Sequence, residues 1–444
     1  MGPDVSDNGK AALERAVQAL YDSDPEREWV RMEHHRTEFA VTSRTLREHL
    51  PPPPARILDC GGGPGRYALM LAQQGYEVTL FDLSPELLAL ARRRADEVGA
   101  HLTAIEQGTA TDLSRYPDAH FDAVLLMGPL YHLLDEAHRR AALAEAYRVV
   151  KPGGPVFAAF IARYAAHIDA IADYPDVAFG QSGEYDQIAA TGLLPPRPDG
   201  SVAFTAYFAH PGEVRPLCAS VGLEINAVLA VEGLASGREA KVNALNGAAW
   251  DYWVDVNTRV AHDPTAHGGA EHLLVVCRRP RWRAVLRRVA ARLVAHDVDY
   301  VLVGGAALAL RGLPLSVSDL DLEMSVESIY DVAAWFEEAV VLPVAWRETE
   351  AVRSHFGRLE IDGVGIDLIA GLERRGDDRW SPSFTTTRDT VTLEGVEIRT
   401  VELEEEVLAY LRRGRLDRAA LALPHCDPKR LRVLLSQALR SGQL

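Results

Sequence analysis

Three aspartates in the second half of the chain have the types and spacing for metal-assisted chemistry. Asp319 and Asp321, in Asp319-Leu320-Asp321-Leu322, stand two apart on a strand-like stretch, so both carboxylates point to one face. Like charges held together repel unless a cation lies between them, and hard oxygen ligands suit Mg²⁺. Asp367, in Ile366-Asp367-Leu368-Ile369, reads as a third acid on a nearby strand. Together they could hold two metal ions, one activating an incoming hydroxyl and the other steadying a nucleotide's phosphates. Upstream, Gly304-Gly305 stands at a strand-to-helix turn, where backbone N–H groups can face those phosphates. As isolated features, an Asp pair is usually a solvated face and Gly-Gly a turn; their order and spacing favour the metal reading.

The first half carries a different pattern. A short apolar strand delivers Asp59 into Cys60-Gly61-Gly62-Gly63-Pro64-Gly65, and glycines at 61, 63 and 65 let the backbone approach a ligand before a helix begins. Such a loop alone is weak evidence, because nicotinamide-nucleotide and phosphate sites use similar turns. Asp82 adds context: it ends the next strand about twenty residues on, where a carboxylate can accept hydrogen bonds from ribose hydroxyls. Tyr131 and His132 follow a third strand, Phe121–Met127, and imidazole is the side chain most easily tuned as a base near neutrality. A hydrogen-bonded loop histidine explains His132 equally well. His34 and His35, in Glu33-His34-His35-Arg36, could cap an acceptor pocket or form a solvated helix face. Arg163-Tyr164, after the fifth strand, is a further candidate pair at the pocket mouth.

The elements that must position these residues alternate. Residues 11–50 read as one or two amphipathic helices, stopped by Pro51-Pro52-Pro53-Pro54. Strands follow at Ala55–Leu58, Val78–Phe81, Phe121–Met127 and Val156–Ile161, with helices between them; Ser84-Pro85-Glu86 is an N-cap with proline at the first helical position. This predicts a doubly wound α/β domain with a mainly parallel sheet over residues 1–280, residues 1–54 forming a helical cap. Residues 165–250 are less regular, and Glu271–Cys277 reads as the closing strand. After Arg278-Arg279-Pro280-Arg281 the pattern restarts, predicting a smaller α+β domain over residues 281–444, with strands at Tyr300–Val303, Ser318–Met324, 354–361 and 364–369.

The chain's 444 residues, 48% apolar and 25% charged, suffice for two sizeable cores and exclude global disorder. A net charge of −16, with acid in excess in both halves, implies no general polyanion-binding surface and leaves only a local basic groove open for nucleic acid. Four scattered cysteines form no CxxC pair, the N-terminus lacks a signal-peptide plan, and no apolar run reaches the roughly 18–20 residues that span a bilayer. A reduced, cytoplasmic protein without membrane contact is the expectation, and oligomeric state is unreadable.

On these motifs, residues 25–280 resemble the class I S-adenosylmethionine-dependent methyltransferases, a Rossmann-like fold. The resemblance implies that Asp59, Gly61, Gly63 and Gly65 wrap the methionine part of S-adenosylmethionine and that Asp82 binds its ribose. It places Met127-Gly128-Pro129-Leu130-Tyr131-His132 beside the reactive methyl, and Lys151-Pro152-Gly153-Gly154 before the fifth strand. Thr109 and Ala110, in Gly108-Thr109-Ala110-Thr111-Asp112, fall where related sequences carry an acid for the adenine amino group; here Thr109 or Asp112 is the candidate acceptor. No Asn-Pro-Pro-Tyr-type motif follows strand four, which disfavours DNA adenine methylation.

Residues 282–420 resemble the minimal nucleotidyltransferases of the DNA polymerase β superfamily, which implies Gly304 and Gly305 at the nucleotide and Asp319, Asp321 and Asp367 as metal ligands and catalytic acids. Related sequences often carry Arg and Thr where this chain has Leu315 and Val317; Arg311, Ser316 or Ser318 are the candidate substitutes for phosphate contacts. The combined expectation is a bifunctional enzyme: methyl transfer to a small molecule, such as an antibiotic or other secondary metabolite, and Mg²⁺-dependent nucleotidyl transfer from a nucleoside triphosphate. Two alternatives stand beside it, an active methyltransferase with a silent nucleotidyltransferase-like domain, and modification of RNA such as tRNA by both domains.

Overall fold

The computed structural model describes residues 5–194, 204–313, 315–375, 380–382 and 388–440. The chain divides into two compact units, Met1–Arg279 and Pro280–Leu444.

The first unit opens with three helices: α1 (Val5–Asp22), α2 (Pro25–His34) and α3 (Arg36–His49). The sequence reading had one or two. The breaks are local: Asp24 caps the backbone N–H of Arg27 ahead of Pro25 at the first helical position, and His35 leaves helical geometry between α2 and α3. Strands β1 (Arg56–Cys60), β2 (Glu77–Asp82), β3 (Ala104–Gln107), β4 (Ala123–Leu126) and β5 (Pro155–Ala162) then run parallel in the order β3-β2-β1-β4-β5. The strand expected at Phe121–Met127 is β4 and is shorter, because Phe121 makes only an isolated bridge to Val150, and β3 before it was not foreseen. Helix α4 (Arg66–Gln73) starts at Gly65, and α5 (Pro85–Val98) starts at Ser84, whose hydroxyl accepts from the N–H of Leu87.

Beyond β5 come β6 (Leu193–Leu194), β7 (Ala206–Ala209), β8 (Glu224–Ala230) and β9 (His272–Arg278); β9 pairs antiparallel with both β5 and β8. The two sheet faces are buried, with Leu58, Val124 and Phe160 on one side and Ile57, Leu125 and Phe157 on the other. Strand order reverses between β1 and β4, and open α/β sheets bind ligands at the carboxyl ends of strands at such a switch.

In the second unit the strands are β10 (Tyr300–Val303), β11 (Asp319–Met324), β12 (Val340–Glu348), β13 (Val352–Ile361), β14 (Val364–Arg375), β15 (Trp380–Pro382), β16 (Arg388–Leu393) and β17 (Val396–Val401). Their main path is β12-β13-β14-β11-β10-β17-β16, with β15 on β14. Among the described residues only β11–β14 and β10–β17 are parallel, so this is a mixed α+β sheet. In β11 the leucines and Met324 are buried and the alternate acids face the other way. Among the described residues, no helix is long and apolar enough to cross a membrane, and all four cysteines are free.

Candidate active sites

The loop after β1 sits at the switch point. Gly61, Gly63 and Gly65 all adopt positive φ, at 73°, 55° and 83°. Gly62 has ordinary φ but little room: a Cβ there would fall 2.5 Å from the carboxyl of Asp59 and from Leu80, as one on Gly61 would fall 2.4 Å from Pro129. Gly65 faces α5 and β2 instead of the cavity, its missing side chain leaving room for Leu80 and Ala91.

A cavity opens over this loop, lined by Asp59, Gly61, Gly63, Asp82, Thr109, Ala110, Met127, Tyr131 and His132 from the sheet side. Asp59 is 1% exposed and its Oδ2 has no hydrogen-bond partner. Burial, reinforced by Asp82, pushes its carboxyl up to about 7 against the opposing N–H of Ala68. Asp82 is also buried and its pKa raised; it accepts from the backbone N–H of Gly63 (2.8 Å) and of Ser84 (2.9 Å), so it shapes the loop as well as lining the cavity.

His132 lies at the far end. Its Nδ1 is 3.1 Å from the carbonyl oxygen of Thr205 and its Nε2 is 2.6 Å from the hydroxyl of Tyr21. A carbonyl only accepts, so Nδ1 carries the proton and Nε2 accepts from Tyr21. Burial lowers the imidazole pKa to about 4, which keeps the ring neutral.

Sequence reasoning placed a helical cap over residues 1–54 but named none of the α1 residues that form the roof. Lys10, Leu13, Glu14, Val17, Gln18 and Tyr21 of α1 line the cavity, and Glu14 accepts from the hydroxyl of Thr109 at 2.7 Å. The carboxylate expected beside Thr109 therefore comes from α1; Asp112 is outside the lining and accepts instead from the N–H of Ser114. Amphipathicity of the first helix was visible, but its partner face was not.

Also missed was a charged wall of Arg31, Glu38 and His272. Arg31 donates to Glu38 at 3.0 Å, and His272 Nδ1 is 2.6 Å from the fully buried Glu232. Burial opposes ionisation of Glu38, but Arg31, His272 and His35 hold its pKa at about 2. Burial likewise disfavours the His272 cation, yet Glu232 and Glu38 raise its pKa to about 9.

None of the four proposed substrate contacts lines the cavity, each for a clear reason. Arg163 is buried against Glu213 (2.9 Å to each oxygen) and the carbonyl of Phe208, which uses its guanidinium to tie β5 to β7. Tyr164 is exposed and packs edge-on to His167, outside the cavity lining. His34 ends α2 with its side chain exposed, while its carbonyl accepts from Asn243. His35 does not line the cavity either; its Nδ1 meets Glu239 Oε2 at 2.5 Å, and its ring packs edge-on to that of His272.

In the second unit Asp319, Asp321 and Asp367 converge, Asp321 pairing in register with Asp367 across the parallel β11–β14 ladder. Burial, then the charges of Asp319 and Asp367, lifts the Asp321 carboxyl to about 7. Gly304, with φ 77°, packs so closely that a Cβ would lie 2.4 Å from Asp321 Oδ2. Arg358, unforeseen, spans the other two acids, its Nε 2.6 Å from Asp367 and its Nη2 3.0 Å from Asp319. Leu315 and Val317 pack against the apolar core, which explains the departure at those positions. Arg311 is consumed by Asp389, Thr400 and the carbonyl of Val401, Ser316 is exposed, and Ser318 donates to Asp319. Another guanidinium stands at the glycine turn, that of Arg418, whose buried Nη1 has no partner and lies 3.6 Å from a Cβ on Gly305; Arg413 lies 3.8 Å from the buried Glu406.

Residues 57–154 match the methyltransferase-domain family, and residues 285–422 match the aminoglycoside-2''-adenylyltransferase family. The chain joins a methyltransferase domain to an aminoglycoside adenylyltransferase-like nucleotidyltransferase domain. Curated relatives of the first domain include a ubiquinone biosynthesis O-methyltransferase of Xylella fastidiosa, 36% identical over 27% of this chain and 48% of the relative. A demethylmenaquinone methyltransferase of Thermus thermophilus is 39% identical over 23% of this chain and 44% of the relative. The chain thus spans about half the length of the curated relatives it matches. A crystal structure of a candidate nucleotidyltransferase from Thermotoga maritima aligns at 31% identity over 36% of this chain and 95% of that one, with a TM-score of 0.30.

The residues of the methyltransferase domain fit S-adenosylmethionine. The unpartnered Asp59 Oδ2 suits the ligand's ammonium, the glycine loop leaves space where side chains would stand, and Glu14 with Thr109 offers acceptors at the adenine end. The three acids of the nucleotidyltransferase-like domain fit a hard divalent cation, since burial and mutual repulsion leave Asp321 with its pKa raised.

Proposed function

We propose that the first domain transfers a methyl group from S-adenosylmethionine to a small-molecule acceptor, an antibiotic or other secondary metabolite. The observation that carries this reading is the cavity itself. Its glycine loop meets a roof, α1, and its far end carries Arg31, Glu38, His272 and the neutral His132. A roofed cavity with a few convergent polar groups suits a small polar molecule, and it disfavours RNA as the acceptor. When bound, S-adenosylmethionine supplies an electrophilic methyl on a sulfonium, transferred as the acceptor atom forms its bond to carbon and the sulfur–carbon bond breaks. The protein aligns the acceptor and excludes water, and the proton released by the acceptor passes to His132 Nε2, directly or through Tyr21.

For the second domain we propose Mg²⁺-dependent nucleotidyl transfer from a nucleoside triphosphate to a hydroxyl of a small molecule, with aminoglycoside alcohols the class that the matched family's description suggests. Asp319, Asp321 and Asp367 would hold the cation, which neutralises phosphate charge. Arg418, at the Gly304-Gly305 turn, and Arg413 would meet the phosphates. A hydroxyl oxygen bonds to the α-phosphorus, pyrophosphate leaves, and the hydroxyl proton goes to the carboxylate cluster. A second reading, a silent binding domain, draws on Arg358, whose guanidinium already neutralises Asp319 and Asp367.

The test uses the full chain, S-adenosylmethionine with a small-molecule acceptor panel, and each nucleoside triphosphate with Mg²⁺. The proposal expects methylated product from wild type that is lost in Gly62→Ala, and nucleotidylated product that is lost in Asp321→Asn. Methylation without any nucleotide binding would favour the silent reading. Methylation confined to tRNA would overturn the small-molecule assignment.

A further inference from the structure

We propose that His35, Glu239 and Glu271 form a binding site for a divalent transition-metal ion of the Zn²⁺ or Mn²⁺ type, set beside the charged wall of the methyltransferase cavity. The three come from separate segments: the join of α2 and α3, the first residue of the short helix Glu239–Asn243, and the residue just before β9. One donor atom of each lies within 4.8 Å of the other two. His35 Nδ1 already touches Glu239 Oε2 at 2.5 Å.

A second observation separates this group from an ordinary acidic cluster. Glu239 is 7% exposed, and its Oε1 has no hydrogen-bond partner. A buried carboxylate oxygen without a donor is costly, and no described residue brings it one. Its surroundings add negative charge: Glu232, fully buried, and Glu38 both act on it. Guanidiniums on the adjoining helices are used elsewhere, Arg31 on Glu38 and Arg36 on the carbonyl of Asn243. A cation of higher charge density is the missing partner.

The donor set indicates which cation. One imidazole nitrogen with two carboxylate oxygens suits Zn²⁺, Mn²⁺ or Fe²⁺, whereas Mg²⁺ and Ca²⁺ favour oxygen alone. Glu271 is oriented from outside the cluster, accepting from the backbone N–H of Gly237 at 2.8 Å, as second-sphere groups orient metal ligands. His35 and Glu271 are partly exposed, which leaves room for water ligands and a path of entry. A neighbouring group, Glu38 with Glu232 and His272, also converges within 4.8 Å, but its charges are already paired with Arg31 and with each other. The ion would therefore pin together the segments that carry Glu38 and His272, making the shape of the acceptor wall metal-dependent.

The experiment is calorimetric titration of the metal-stripped full chain with ZnCl₂, MnCl₂ and MgCl₂, in a background in which Asp319→Asn, Asp321→Asn and Asp367→Asn together remove the acids of the second domain. The expected result is one equivalent of Zn²⁺ or Mn²⁺, bound far more tightly than Mg²⁺. Glu239→Gln should weaken it at least about 100-fold, because loss of an outer-sphere partner alone costs roughly 10–100-fold. His35→Asn, at a partly exposed position, should do the same and guards against misfolding of the buried variant. No transition-metal binding, equal binding by both variants, or binding lost in Glu232→Gln but kept in Glu239→Gln would each overturn the proposal.

Discussion

Asp59→Asn should stabilise the empty methyltransferase domain while weakening its grip on S-adenosylmethionine, and the size of the first effect follows from burial. Asp59 is 1% exposed, with one oxygen unpartnered, and its folded pKa is about 7 against 3.8 for an ordinary aspartate. Between those values the native state holds a proton that the unfolded chain has released. Stability of the wild type therefore falls as pH rises from about 4 to about 7 and then stays level. A shift of about three units corresponds to roughly 4 kcal/mol by pH 8, an upper bound because an unfolded chain is not a free amino acid. Asparagine has the same shape and no charge to bury, so it escapes this loss.

Thermal or urea unfolding of both chains from pH 4.5 to 8.5 measures the difference. The transition belonging to this domain is the one that shifts when S-adenosylmethionine is added to the wild type. The stability gap in favour of asparagine should widen up to about pH 7 and be flat above it, while cofactor affinity drops at every pH above 7. A gap that does not depend on pH, or an asparagine variant less stable at pH 8, would refute the reasoning.

Gly62→Ala places a methyl group 2.5 Å from the Asp59 carboxyl and should abolish S-adenosylmethionine binding in calorimetry, with about 1–3 kcal/mol of destabilisation from overpacking. His132, with its pKa lowered to about 4 by burial, should stay neutral in ring NMR signals from pH 5.5 to 8; its contribution to stability is present above about 6.5 and is lost as pH falls towards 4. Tyr21→Phe leaves His132 Nε2 without its donor and should cost about 1–3 kcal/mol of stability by denaturant titration. Arg163→Met should destabilise the first unit by about 2 kcal/mol, with KM for the methyl acceptor unchanged in steady-state kinetics.

Features written in one short stretch were legible. The glycine loop, the alternation of Asp319 and Asp321 with leucines, and the proline stops all declare their geometry within a few residues. Partners across the chain were not. Arg163 looked like a pocket residue because it follows a strand end, but Glu213, fifty positions away, decides its role. Glu14 reaches Thr109 from a helix whose pattern said only that one face is apolar. Arg358 meets Asp367 through the antiparallel register of β13 with β14, and no spacing rule on β13 alone announces that pairing. Leu315 and Val317 departed from the expected polar residues because they pack into the core.

The first helix is fastened to three different walls of its cavity. Glu14 takes the hydroxyl of Thr109, Asp22 takes that of Ser84, and Tyr21 gives its own to His132, at 2.7, 2.5 and 2.6 Å. The last of these fastenings also fixes His132, the base of the proposed methyl transfer. On the proposed reading, displacing α1 from the cavity would also remove the donor that holds His132 Nε2. One hydroxyl then joins roof and base, so a variant that loosens α1 should also leave His132 less well aligned.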